Sequence, residues 1–358
     1  MNKRVKKQHY ISRTYLQEFS TPSKSKDLLW VRDNRGRWRP SRPENEGFEN
    51  DFQSLIDENG NKSDELESYF APYEGEFKML LRQIEKTQRV PQDPEQLGTL
   101  LSIMGLFAIR VPTVRENFKR FATNGMKKTI GLVLQDERTY KAYMKKVCDP
   151  GEEPVPYQQM LDFYQSDAFI LKHNPMWVLG TILKNAATVT DLLHLRNWMV
   201  VEAPAPLLIT SSKPVNPFWT ISLPPNQKGR GPFFNPQFLA THSTIVPLYS
   251  PYSEPTGRFP SILPGFGTLT SMVVFPLTPS LALIGSWSPL PLYGKIDYCT
   301  AQAINWVTAN SGADYVYSPQ KLFSIPWNSN LTSCLQDYHN QLGSRLISFK
   351  PNIEARFF

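Results

Sequence analysis

The sequence predicts an α+β protein: a helical N-terminal half with a basic N-terminal arm and hairpin, packed on a mainly antiparallel sheet from the C-terminal half. Three observations carry this. Apolar residues recur at helical spacing between Ser63 and Leu195. Beyond residue 197 they gather instead in short runs bounded by proline, glycine and serine. Twenty of the 31 prolines lie after residue 200, which suits turns and short strands there. The expected layout is one integrated domain over 1–358: an arm and hairpin (1–45), a helical part (46–196) and a strand-rich part with one late helix (197–358). Integration is expected because Leu16, Phe19, Trp30 and Trp38 need partners, and the arm is too short for a core of its own.

The arm opens on Gln8 to Phe19, directly behind Lys3, Arg4, Lys6 and Lys7. Read as a helix, it puts His9 and Arg13 on one face, with Leu16 and Phe19 a turn or so further along. Leu28–Arg32, Asp33–Gly36 and Arg37–Pro40 then read as a β-hairpin with a glycine-containing turn. Arg32, Arg35 and Arg37 interleave there with Trp30 and Trp38. Single-stranded nucleic acid is bound by such a pattern; an edge hairpin that must stay soluble uses it too.

From Ser63, an N-cap with acidic residues behind it, Leu66, Tyr69, Phe70, Tyr73, Phe77, Leu80, Leu81 and Ile84 form one apolar stripe. Glu67 and Glu74 lie two turns apart beside it, placed to hold a metal or to pair with arginines. Pro94-Glu95 opens the next helix. Its run from Leu97 to Ile109 is too short to span a bilayer and reads as a buried core helix. Arg110 follows that run, so its guanidinium is either exposed or paired, and Glu74 is the expected partner in a buried ion pair. Pro112 bends or ends the helix. Short helices follow over 126–172, split by a loop at Asp149–Pro154, and Met176–Leu195 reads as one more. Strands are expected at Trp198–Val201, Leu207–Thr210, Thr244–Leu248, Met272–Phe275 and Leu281–Ile284, with long loops over 213–238 and 249–266. Tyr298–Ala309 is the late helix and Tyr315–Tyr317 a last short strand.

A net charge of +7 favours acidic partners, nucleic acid first among them. Three scattered cysteines with no CxxC pair point to a reducing, cytoplasmic setting and away from structural zinc. No membrane partner is expected, and the sequence leaves the oligomeric state open. Walker, dinucleotide-binding, HExxH, GxSxG and EF-hand motifs are absent.

Several short motifs in order form a pattern of their own. They are His9-Tyr10, Tyr15-Leu16 and Phe19; Glu67 and Glu74; Arg110-Val111-Pro112 with Arg115; Ile209-Thr210-Ser211-Ser212-Lys213-Pro214-Val215; Phe275-Pro276-Leu277-Thr278-Pro279; Asn305; and Val316-Tyr317-Ser318. In this the chain resembles the proteins grouped as domain of unknown function 4238, over nearly its whole length. The resemblance implies kinship of fold and no activity. Ser212 departs from it, standing where those proteins are expected to carry an aspartate.

Folding would have to assemble the site. The candidate catalytic residues are His9, Arg13, Glu74, Arg110 and Ser211; the candidate substrate-binding residues are Tyr10, Arg32, Arg35, Arg37, Thr210 and Asn305. Histidine near arginines and hydroxyls suits metal-independent phosphodiester cleavage, with His9 as general acid/base and Arg13 and Arg110 stabilising the phosphorane. No metal-ligand cluster is apparent. Mg2+ stays open as a cofactor, because in relatives an aspartate at the Ser212 position would join Glu74 as a ligand. Two functions therefore stand side by side: a nuclease or phosphodiesterase of toxin or defence type, and a non-catalytic module binding nucleic acid or protein, whose polar cluster is structural.

Overall fold

A computed structural model describes residues 7–21, 27–52, 54–56, 62–63, 65–149, 151–166, 169–219, 265–267 and 271–321. The expected strand Thr244–Leu248 and most of the two long loops lie outside these residues, as do Lys3, Arg4 and Lys6; the side chain of Glu67 is not described. The described chain is α+β, with eight α-helices and several antiparallel sheets. It forms two compact units, one of residues 1–111 with 182–358 and the other of residues 112–181.

In the larger unit, β1 (Lys7–His9) leads through a turn to α1 (Arg13–Gln17). A single helix over 8–19 is therefore not what forms. Ser12 is the reason: its Oγ accepts from the Thr14 N–H at 3.1 Å and caps α1, so the residues before it are free to pair as a strand. His9 and Arg13 consequently sit on different elements.

The hairpin forms as expected from β2 (Leu29–Asp33) and β3 (Trp38–Ser41). Asp33 Oδ1 accepts from the backbone N–H groups of Arg35 and Arg37 at 3.0 and 2.9 Å, and Gly36 supplies the positive φ of +82° the turn requires. After β4 (Phe48–Asn50), β5 (Leu55–Ile56) and β6 (Lys62–Ser63) come the two long helices, α2 (Glu65–Thr87) and α3 (Pro94–Ile109). Asp93 caps α3 through the Gln96 N–H at 2.9 Å. The apolar run of α3 is buried at Leu100, Leu101, Ile103, Met104, Phe107 and Ala108, as expected of a core helix. No single helix among the described residues is long and apolar enough to cross a membrane.

The strand-rich part builds two sheets. One orders β12 (Tyr293–Lys295), β7 (Asn197–Glu202), β11 (Leu281–Ser286), β10 (Ser271–Pro276) and β9 (Asn216–Trp219); only its β12–β7 pair is parallel. Every residue of β10 and β11 is buried, which explains their continuous apolar runs. The other orders β3, β2, β13 (Tyr315–Ser318) and β8 (Thr210–Ser211), so the N-terminal hairpin pairs with the last described strand. Leu207–Ile209, expected as strand, takes hydrogen bonds from a side chain instead. Asn305, on α8 (Tyr298–Asn310), accepts from the Ile209 N–H and donates to the Leu207 carbonyl, both at 3.0 Å.

The smaller unit holds α4 (Pro112–Val133), α5 (Glu137–Val147), α6 (Tyr157–Gln165) and the start of α7 (Pro175–His194). Tyrosine hydroxyls tie it together: Tyr140 donates to the Val155 carbonyl at 2.6 Å, Tyr157 to Leu134 at 3.0 Å and Tyr164 to Lys127 at 3.1 Å. Neither α4 nor α6 buries a side chain completely.

Candidate functional site

Tyr15 on α1 is the point where both parts of the larger unit meet. Its ring, wholly buried, lies 5.4–5.8 Å from those of Phe19, Phe77, Phe107 and Phe275, which come from α1's end, α2, α3 and β10. Its hydroxyl donates to the Pro276 carbonyl at 2.6 Å and lies 2.6 Å from Thr210 Oγ1. A phenol has one proton, so Thr210 is the donor to Tyr15.

Beside this aromatic core lies a small, half-open pocket with a volume of about 20 Å3, room for one or two waters. Ser12, Tyr73, Glu74 and Arg110 are its polar lining, and Phe70, Phe77 and Phe107 contribute apolar wall. Arg110 is the C-cap of α3, its backbone N–H still bonded to the Leu106 carbonyl at 2.8 Å. Its guanidinium donates to the His9 carbonyl at 2.5 Å and lies 4.2 Å over the Phe70 ring. Ser12, besides capping α1, lines the pocket beside Glu74 and favours its charged form. Arg13, exposed on the first turn of α1, exerts its charge on both Glu74 and His9.

The electrostatics pull the two titratable groups in different ways. Burial raises the Glu74 pKa, and Ser12 and the charges of Arg110 and Arg13 only partly oppose it. His9 is lowered to about 4, first by burial and then by Arg110, Arg13 and Lys7. Its imidazole is therefore neutral at physiological pH and packs 5.6 Å from Phe48. Its carbonyl accepts the hydrogen bond from Arg110.

The pocket thus gathers Ser12, Glu74 and Arg110, with His9 and Arg13 in electrostatic reach, but the expected Glu74–Arg110 ion pair does not form among the described residues: Arg110 acts on Glu74 by charge at a distance and bonds the His9 carbonyl instead. The remaining candidates lie elsewhere and are committed. Ser211, fully buried, donates its hydroxyl to the Lys213 carbonyl at 2.7 Å and accepts from the Lys213 N–H at 3.2 Å. Thr210 belongs to Tyr15, and Asn305 clamps Leu207–Ile209. Tyr10 is buried against Phe52, 5.6 Å away, with its phenol pKa raised by burial. Arg37 pairs with Asp33 at 2.7 Å, Arg32 folds back over Gly36, and Arg35 is an exposed turn residue.

One family's sequence model matches residues 7–321, a span that includes every residue lining this pocket. The chain belongs to that family, described as protein of unknown function DUF4238. No curated protein and no solved structure matches the chain.

Ser12 and Phe70 were absent from the sequence-derived site. Phe70 was read as stripe, which it also is. Ser12 had one signal, a serine ahead of Arg13-Thr14-Tyr15 in cap position. Ser212 answers the question its departure raised. Its Oγ accepts from the backbone N–H groups of Asp314 and Tyr315 at 2.9 and 3.2 Å, a place where a carboxylate would serve equally as acceptor. Among the described residues no group of three or more histidine, cysteine, aspartate and glutamate side chains is placed to hold a metal ion.

Proposed function

We propose that this protein is a hydrolase of nucleic-acid phosphodiesters whose proton-handling group is Glu74. One observation carries the reading: a carboxyl with raised proton affinity shares a half-open pocket with Arg110 and feels Arg13 as well. In that arrangement the guanidiniums hold the phosphate and take up charge as the phosphorane forms. Glu74 removes a proton from the attacking water, whose oxygen bonds to phosphorus as the bond to the leaving oxygen breaks. His9 stays neutral, by burial first and the neighbouring cations second, and does not line the pocket; it positions Arg110 through its carbonyl, and the leaving oxygen takes its proton from water. The net charge of +7 suits a polyanionic substrate.

The non-catalytic reading is favoured by a different observation: Arg110 already ties α3 to β1 through the His9 carbonyl. On that reading the cluster only docks the arm. Incubation of the purified chain with end-labelled RNA and DNA, with and without Mg2+ or Mn2+, separates the two. Cleavage lost in Glu74→Gln with unchanged melting supports the hydrolase; no cleavage under any condition refutes it.

A further inference from the structure

We infer that single-stranded nucleic acid docks on the helices of the 112–181 unit, through exposed cations and open aromatic faces on α4 and α5. The inference rests on the proposed nucleic-acid chemistry for its ligand class and on this unit alone for its surface.

Positive charge is concentrated on α4 and α5: residues 112–147 carry nine lysines and arginines against three acidic residues, while residues 148–181 carry one against five. Lys119 and Lys141 pair with Glu116 and Glu137 on their own helices. Arg120, Lys128, Lys145 and Lys146 are exposed and have no acidic partner among the described residues. Aromatic exposure is concentrated in the same unit. Of the five most exposed aromatic side chains among the described residues, Phe121 (77%), Phe163, Trp177 and Tyr143 lie in it. Phe163 and Trp177 each stack one face on a neighbour, 5.1 Å from Phe169 and 6.0 Å from His173.

Helix geometry joins the two features. Phe121 and Lys128 are seven residues apart on α4, and Tyr143 and Lys146 three apart on α5, so each helix sets a ring and an unpaired cation on one line. A base stacks on any aromatic face while its phosphate takes the adjacent cation, which makes such surfaces tolerant of sequence and sensitive to salt. The hairpin of residues 29–41 has the same composition but not the same availability, since Arg37 is held by Asp33 and Arg39 by Glu46. An anionic membrane fits less well. The line through Phe121 also carries exposed Asn117, Asn124 and Lys128, and is not the continuous apolar stripe an interfacial helix inserts.

The test is fluorescence anisotropy of labelled oligothymidylate and oligouridylate of about 20 nucleotides, the span of one or two binding-site lengths. It is run with the full-length chain carrying Glu74→Gln, so that binding is read without cleavage. Tight binding that weakens with salt is expected. Phe121→Ala and Tyr143→Ala should each weaken it roughly tenfold. Lys145→Gln with Lys146→Gln should lower the slope of log affinity against log salt by about 1.4, at about 0.7 per single-strand phosphate. Circular dichroism of each variant, unchanged for exposed positions, confirms folding. Binding unaffected by these variants, a preference for duplex, or loss of phosphatidylserine-vesicle binding in place of oligonucleotide binding would overturn the inference. Docking without any cleavage by the parent chain would sink the hydrolase reading and leave the docking surface standing.

Discussion

Tyr15→Phe removes one oxygen atom from the middle of the larger unit. The ring contacts with Phe19, Phe77, Phe107 and Phe275 are kept, so the change isolates the hydroxyl. Two groups lose their partner: the Thr210 hydroxyl, which donates to Tyr15, and the Pro276 carbonyl, which accepts from it. Both contacts are 2.6 Å and buried, so water does not replace them. A net hydrogen bond contributes about 1 kcal/mol, and a buried group left unsatisfied costs about 1–3 kcal/mol. The expected loss is therefore about 2–4 kcal/mol. Urea unfolding followed by tryptophan fluorescence reads it as a lower midpoint at unchanged slope. Thr210→Val should cost less, because Tyr15 can still donate to Pro276, and the double variant should fall short of the sum by about 1 kcal/mol. A Tyr15→Phe protein within about 0.5 kcal/mol of the parent would refute the reasoning, since that is the range of a neutral surface change.

Three further outcomes follow from the same geometry. His9 has a folded-state pKa of about 4 against 6.5, so the stability it contributes is complete above pH 6.5 and is lost as pH falls through 4; the ceiling is about 3 kcal/mol, reduced to about 1–2 by its partial exposure. Unfolding free energies at pH 7 and pH 4 in a Glu74→Gln background check this, because Glu74 runs the other way, its raised pKa favouring the fold as pH drops. Arg110→Ala should cost about 2–4 kcal/mol, because it orphans the His9 carbonyl, uncovers Phe70 and leaves Glu74 with less opposing charge; an unchanged melting temperature would speak against that. Asn305→Ala strands the Ile209 N–H and the Leu207 carbonyl together, and amide exchange at Ile209 should accelerate well beyond that of the neighbouring β7 strand.

Local chemistry was legible in the sequence wherever it acts locally. The Asp33–Gly36 turn, the Pro94 start behind Asp93, and the apolar runs of β7, β10 and β11 fall within a residue or two of their expected places. What escaped is pairing across the chain. His9 reads as helical until β4 supplies a strand partner 39 residues away, through the His9–Phe48 register. Leu207–Ile209 reads as strand until Asn305 reaches it from α8. Charge follows the same division. Arg110 was identifiable because a cation ending an apolar helix needs a destination, and Glu74 because it lies beside a buried stripe. The arginines of the hairpin looked available, but Arg39 is claimed by Glu46, whose side chain is buried and whose position shows nothing of that in the sequence.

The contrast between Glu46 and Glu74 bears on what the pocket is for. Arg39 closes on Glu46 with two donors at 2.5 and 2.9 Å, and Ser41 adds a hydroxyl at 2.5 Å. There the carboxylate's lone pairs are occupied and its counter-charge is in contact. Glu74 also has a serine and two arginines in play, yet burial prevails over all three and its proton affinity rises. A purely structural latch gains nothing from that balance, since a carboxyl that readily takes up a proton gives up its hold on the arginines as it does so. A group that must exchange a proton beside a bound anion needs it, because general acid/base work is most effective when the pKa moves toward the working pH. His9 is kept neutral first by its burial and then by the same cations. On the proposed reading the pocket serves proton transfer where the Arg39–Glu46 latch does not, and a single isosteric substitution at Glu74 separates the two roles.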